Sequence, residues 1–314
     1  MGKPALMAIA RLRSTAMAQL EDHFDLRRCW EADDAARFVA EHGADCRAVL
    51  ATGHSHFTAG MLADMPKLEL VSLPTAGFDG LPVAEMAARG IRLTNASPAL
   101  RDDVADTAIM LILAAQRSLV AADGYVRSGA WARDGMYPLQ KTVSGRRLGI
   151  VGMGSLGSAV AERASALRME VSYWNRAAKD VPWRYEPELA TLAAKSDVLV
   201  ATVAGGPDTA GLISRQVIEA LGPDGLFINI ARGSVVDEEA LIEALQSGTL
   251  GRAGLDVYEN EPEIDARLTA LENVTLFPHH ASGTEEARAA MSQMAVDNLL
   301  AFAQGRALLS EVAI

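Results

Sequence analysis

One short motif narrows the fold more than anything else in the chain. Gly152-Met153-Gly154-Ser155-Leu156-Gly157 directly follows an apolar run at 148–151 and directly precedes a helical run at 158–167. A strand, a tight glycine turn and a helix in that order are the start of a dinucleotide-binding βαβ unit. The first glycine permits the turn, the second lets the backbone approach a diphosphate, and the third lets helix and strand pack closely. Amides at the helix start, among them those of Ser155 and Leu156, point at the anion. The unit runs on to a second strand at 170–174, which is followed by Asn175 and Arg176.

An acidic residue at the end of that second strand would bind a ribose 2′-hydroxyl and repel a 2′-phosphate. Here the position is neutral Asn175, followed by Arg176 with Lys179 nearby. This charge pattern predicts NADP(H) as the preferred cofactor, with NAD(H) still usable.

Buried strands are expected at 147–151, 170–174, 198–202, 226–230, 253–257 and 274–277, separated by helices, as in a doubly wound nucleotide-binding domain. Upstream, strands are expected at 48–51, 68–73 and 91–94, with helices at 33–41 and 83–88 beside them, again as in a parallel sheet. Pro98 can start a helix, a long helix is expected over 102–119, and 123–144 is expected to be a polar loop. The final helix, 285–303, is expected to return to the N-terminal domain. The expected class is therefore α/β, with two Rossmann-like domains and parallel sheets. Residues 99–284 are expected to form the dinucleotide-binding domain, inserted into a discontinuous domain of 1–98 and 285–314.

A chain of 314 residues, half of them hydrophobic, can bury two cores. Its formal charge of -11 opposes a general nucleic-acid or anionic-membrane surface, so any phosphate site must be local. Cys29 and Cys46 are too few for a disulfide framework and lack zinc-site spacing. No apolar run approaches the roughly 20 residues that span a bilayer. The short apolar piece after Lys3 is too quickly interrupted by Arg11 and Arg13 to serve as a secretory signal. A cytoplasmic protein is expected.

Three residues fall where later strands should end, on the sheet edge at which open α/β folds bind ligands: Arg232, Glu261 and His279. A guanidinium there can hold a carboxylate and polarise a carbonyl. An imidazole can donate a proton near neutral pH, and a carboxylate can orient the ring by pairing with it. Tyr137 and Lys141 have the Y-x-x-x-K spacing of short-chain dehydrogenases, but Pro138 disfavours the helix that pattern needs, and the pair precedes the glycine motif. His54 and His56 lack a third ligand, and no metal site is expected.

With these residues in place, the chain resembles the D-isomer-specific 2-hydroxyacid dehydrogenases over nearly its whole length, and within them the glyoxylate, hydroxypyruvate and hydroxyphenylpyruvate reductases. The resemblance is carried by Thr75-Ala76-Gly77-Phe78-Asp79, Asp102-Asp103-Val104-Ala105-Asp106, Gly129-Ala130-Trp131, the glycine motif, Ile230-Ala231-Arg232-Gly233, Gly254-Leu255-Asp256-Val257-Tyr258-Glu259, Glu261-Pro262 and Pro278-His279-His280-Ala281-Ser282-Gly283-Thr284. It implies that the discontinuous domain is a flavodoxin-like substrate-binding domain and that the chain reduces a small 2-oxo acid, with Arg232 binding and polarising it and Glu261 pairing with His279, the proton donor. It places His279 rather than His280 in that role. It also implies that the amides of Ala76 and Gly77 hold the substrate carboxylate and that Ala51, Thr52 and Gly53 line the pocket. Asp256 and the backbone of Ala231 would meet the nicotinamide carboxamide, Thr209 the diphosphate, and Ser282 would support the site. Trp131 would reach the partner subunit's pocket in a homodimer.

The chain departs from the family pattern at Ala177, where NADPH reductases usually carry a hydroxyl, at Ser155, where many carry arginine, and at Gly205-Gly206 before Thr209. Two classes of function remain open: an enzyme acting on glyoxylate, hydroxypyruvate or a bulkier 2-oxo acid such as hydroxyphenylpyruvate, and a non-catalytic dinucleotide-sensing protein of the same fold.

Overall fold

The structure, a computed structural model, describes residues 2–314 and divides the chain into two compact units. One runs up to Leu100 and includes Ser282–Ile314; the other is Arg101–Ala281. In the first, strands β1 (Ala5–Ala8), β2 (Asp25–Arg28), β3 (Ala48–Leu50), β4 (Leu70–Ser72) and β5 (Arg92–Thr94) lie in the order 2-1-3-4-5 and are parallel. A C-terminal strand, Glu311–Val312, adds antiparallel to β5. The apolar piece after Lys3 is thus a core strand, with Met7 opposite Val49. Sequence periodicity missed β1, β2 and the helix Ser14–His23: each strand is only four residues long, and β2 ends in two arginines. Helix Glu285–Ala303 packs Ala295, Val296 and Leu299 into one core with Leu6, Leu20 and Leu70.

The second unit holds seven parallel strands: β6 (Arg147–Val151), β7 (Glu170–Trp174), β8 (Arg184–Tyr185), β9 (Val198–Ala201), β10 (Leu226–Asn229), β11 (Arg252–Leu255) and β12 (Val274–Leu276). Their order, β12-β11-β10-β9-β6-β7-β8, reverses direction between β6 and β9. Ligands of doubly wound sheets bind at this reversal, beyond the carboxyl ends of the strands. β9 and β10 are buried at every position, as strands covered on both faces must be.

Three local expectations change. The long helix starts at Ser97, ends at Gln116, and turns by 58° into a second helix, Leu119–Arg127, through Ser118 at φ +48°. The segment expected as a polar loop therefore contains the end of that helix and a further one, Ala130–Asp134. Gly124 and Gly129 hid them, whereas the Arg127–Asp123 ion pair at 2.6 Å supports the first. The helix of the glycine motif begins at Ser155, a turn earlier than its apolar pattern suggests. Among the described residues, no single helix is long and apolar enough to cross a membrane.

The turns after β10 and β11 are pressed together at Gly233. A β-carbon there would lie 1.9 Å from both the carbonyl carbon and oxygen of Tyr258 and 2.3 Å from the amide nitrogen of Glu259. That amide donates to Glu238 Oε2 at 2.9 Å, and burial pushes the Glu238 carboxyl above its usual range. Gly233→Ala forces two backbones apart, and overpacking of this kind costs about 1–3 kcal/mol. Urea unfolding should show a loss in that range; a midpoint equal to that of the wild type would mean the two turns are not locked.

Candidate active site

The glycine motif opens where β6 ends, at the reversal of strand order. Gly152 has φ +105°, and a β-carbon on it would meet Val203 N at 3.0 Å; one on Gly157 would lie 2.2 Å from the Gly152 carbonyl oxygen. Thr202 Oγ1 donates to that oxygen at 2.7 Å. The protein's own packing therefore demands these two glycines. Gly154 is different: a β-carbon there meets nothing within 4 Å, although it caps the 12-residue helix Ser155–Ala166. An open face before a helix N-terminus, kept clear by a glycine the fold does not need, fits a dinucleotide diphosphate.

At the end of β7, Asn175 Nδ2 donates to Ala177 O at 3.1 Å and Tyr185 Oη donates to Asn175 O at 3.3 Å, so the turn is tied down. Arg176 stands in solvent, 84% exposed, with Asp208 Oδ2 3.6 Å from its Nη1. Thr209 Oγ1 donates to Ala204 O at 2.7 Å and reaches Gly206 O at 3.2 Å. It thereby braces the Gly205-Gly206 loop.

The three chemical residues sit on turns that follow adjacent strands, β10, β11 and β12. Asn229 at the end of β10 shapes the first: its Nδ2 donates to Arg232 O at 2.9 Å and its Oδ1 accepts from Ala231 N at 3.0 Å. Arg232 Nη1 donates to Ala231 O at 2.7 Å. On the second turn, Glu261 Oε1 accepts from Tyr258 N at 2.9 Å. Its Oε2 lies 2.5 Å from His279 Nδ1, with both side chains about one-third exposed. A carboxylate only accepts, so Nδ1 carries the shared proton and Nε2 is turned to other partners.

His279 itself has φ +48°, a left-handed conformation that non-glycine residues seldom adopt. Asp256 holds it there: its backbone carbonyl accepts from His279 N at 2.7 Å, and its carboxylate accepts from His280 N at 2.7 Å and Ala281 N at 3.1 Å. Asp256 is 2% exposed, and burial raises its carboxyl pKa against the pull of those two amides. Its first task in this fold is thus to shape the His279–Ala281 turn. Tyr258, which motif spacing did not single out, donates its hydroxyl to Phe277 O at 2.8 Å, joining the second and third turns. Burial pushes its phenol up to about 12, so it remains a hydrogen-bond donor. Beside the pair lies a cavity of about 250 Å³ lined by Tyr258, Glu261, Ile264, Leu276, Phe277 and His279. The ring of His280, 6.2 Å from that of Phe277, takes no part in the Glu261 contact.

In the other unit, the loops after β3 and β4 meet. Gly53 N donates to Thr75 Oγ1 at 3.0 Å, Thr75 Oγ1 donates to Gly77 O at 3.1 Å, and Gly80 N donates to Gly53 O at 3.1 Å. Thr52 N donates to Ser55 Oγ at 2.8 Å, and Ala51 is fully buried. Asn95, another residue the motifs did not mark, donates to Ala76 O at 2.8 Å. Ser282 lies in the turn that follows Ala281, and Trp131, in the helix Ala130–Asp134, is 64% exposed. Tyr137 lies outside any helix and Lys141 pairs with Asp224, so that spacing has no catalytic geometry.

Residues 109–281 match the family model of the D-isomer specific 2-hydroxyacid dehydrogenase NAD binding domain. A glyoxylate/hydroxypyruvate reductase A of Arabidopsis thaliana is 42% identical over 295 residues, covering 94% of each chain. A hydroxyphenylpyruvate reductase of Plectranthus scutellarioides is 43% identical with the same coverage. Among solved structures, an NADPH-dependent glyoxylate/hydroxypyruvate reductase of Sinorhizobium meliloti in complex with NADP and malonate superimposes with a TM-score of 0.90 at 36% identity, covering 99% of this chain and 97% of that one. Motifs, strand order and these similarities agree: the chain belongs to the D-isomer-specific 2-hydroxyacid dehydrogenase family of oxidoreductases.

Proposed function

We propose that this protein reduces a small 2-oxo acid, glyoxylate or hydroxypyruvate, to the D-2-hydroxy acid with NADPH. The observation that carries the reading is the 2.5 Å contact of His279 Nδ1 with Glu261, on the sheet edge that also bears Arg232. A nicotinamide, when bound, would supply hydride to C2 of the substrate. His279 Nε2–H gives its proton to the carbonyl oxygen as the oxygen gains charge, and Glu261, holding Nδ1, stabilises the ring's orientation throughout. In the oxidative direction Nε2 takes the hydroxyl proton. The Arg232 guanidinium faces the substrate's negative charge and polarises the carbonyl.

The amides of Ala76 and Gly77 and the Ala51-Thr52-Gly53 loop are assigned to the substrate carboxylate and side chain, with Ser282 supporting His279; the family pattern supports this assignment. Asp256, through a lone pair its two amide donors leave unspent, and the Ala231 backbone are assigned to the carboxamide. Gly152, Gly154, Ser155, Leu156, Gly157 and Thr209 are assigned to the diphosphate. The preference for NADPH over NADH rests on neutral Asn175 and cationic Arg176 at the end of β7. The S. meliloti relative is described as NADPH-dependent, which favours the same choice.

We also assign the protein a homodimeric state in a cytoplasmic setting. The helices and loop from Leu119 to Leu139 expose Leu119, Val120, Val126, Trp131, Met136 and Leu139 at 56–91%, a concentration of apolar surface suited to a second copy.

Steady-state assays with glyoxylate, hydroxypyruvate, hydroxyphenylpyruvate and pyruvate should show NADPH consumption with the first two at higher kcat/KM than with pyruvate, and with NADPH above NADH. Dinucleotide binding without turnover of any of the four would instead indicate a dinucleotide-sensing protein. Preference for hydroxyphenylpyruvate would move the substrate to the bulkier class. Light scattering should give twice the 33.3 kDa chain mass, falling to one chain in Val120→Glu/Trp131→Ala. A wild-type monomer refutes the dimer.

A further inference from the structure

We infer that Asp208 sets the size of the cofactor preference by competing with a 2′-phosphate for Arg176. This rests on the NADPH reading above and assigns a role to a residue that no motif marked. β7 and β9 flank β6 on its two sides, about 10 Å apart at the usual strand spacing. Arg176 lies just past β7, and Asp208 lies in the short 3-10 turn Pro207–Thr209 beyond β9. Their contact at 3.6 Å therefore passes over the carboxyl end of β6, where the glycine motif begins. Thr209 fixes this arrangement from the Asp208 side through its bonds to Ala204 O and Gly206 O. Tyr185 and Asn175 fix it from the other.

Both charged side chains are 84% exposed, so neither is committed to the core. An adenosine ribose bound at the end of β7 brings its 2′-substituent to Arg176. With a 2′-hydroxyl, Arg176 stays with Asp208 and nothing is lost. With a 2′-phosphate, the guanidinium must turn from a carboxylate to a phosphate, and the displaced carboxylate remains nearby as a like charge. Asp208 thus weakens binding of the phosphorylated dinucleotide alone. Exposed ion pairs are weak and screened by salt, so the expected penalty is roughly three- to tenfold at low ionic strength and smaller at high.

Calorimetric titration of NADP+, NAD+ and 2′,5′-ADP tests this without turnover, using wild type, Asp208→Asn, Arg176→Ala and the double variant; both sites are on the surface. Asp208→Asn should tighten NADP+ and 2′,5′-ADP by roughly three- to tenfold and leave NAD+ within twofold, the gain should shrink with added salt, and it should vanish in the Arg176→Ala background. If Arg176→Ala weakens NADP+ but Asp208→Asn leaves it unchanged, or tightens NAD+ equally, the role of Asp208 is refuted and the NADPH reading stands. If Arg176→Ala leaves NADP+ unchanged, both fall.

Discussion

The close approach of two backbones at Gly233 is the constraint on which the rest of the site depends. With no side chain at that position, the turn carrying Arg232 rests directly on the Tyr258–Glu259 backbone, so the turns after β10 and β11 pack as one body. Tyr258 extends that body to the turn after β12 through Phe277 O, and Glu261 extends it to His279. Asp256 completes it by holding His279 in a left-handed conformation, which costs of order 1–3 kcal/mol and persists only where surrounding bonds over-determine it. Arg232, Glu261 and His279 are therefore placed by bonds among neighbours before any ligand arrives, which is what electrostatic and proton-transfer catalysis requires.

Charge is handled locally. The chain is acidic overall, yet its proposed ligands are anions. Carboxylates near the site are therefore occupied: Asp256 by two amides, Glu238 by the Glu259 amide, and Glu261 by Tyr258 N and His279. Burial raises the carboxyl pKa of Asp256 and Glu238, so each relies on its amide donors to remain charged. Arg232 and Arg176 supply positive charge at the two ends of the proposed ligand path. The first sits in a shaped turn and the second in open solvent, as suits a group that takes up different partners.

Much of this was legible in the sequence, and the reasons differ by residue. The glycine motif could be read because its spacing is set by local backbone geometry, and β6 because four buried positions in a row, 148–151, leave little alternative; β7, expected to be buried, is fully buried only at Tyr173 but carries the β-forming Val171, Tyr173 and Trp174. Arg232, Glu261 and His279 could be placed on one edge because each follows an apolar strand, buried in β10 and largely so in β11, and half-buried in β12. Glu238, Asn95 and Asp208 could not be read, since their partners lie 21, 19 and 32 positions away and come together only in the folded chain. The helices within 119–134 were obscured by glycines whose local signal was outweighed by helix-end geometry, with Gly129 at φ +73° preceding the second. Asp256 was found for a family contact, and only the structure shows its hold on the turn of His279.

In the proposed reaction Glu261 acts only through His279. Single-turnover oxidation of bound NADPH by glyoxylate in wild type, Glu261→Gln, His279→Ala and the double variant tests it most directly. His279→Ala should slow the step by about 10²–10⁴-fold, Glu261→Gln should slow it less, and adding Glu261→Gln to His279→Ala should cost nothing more. If Glu261→Gln costs the same factor with and without His279, the two residues act independently and Glu261 does not work through the imidazole.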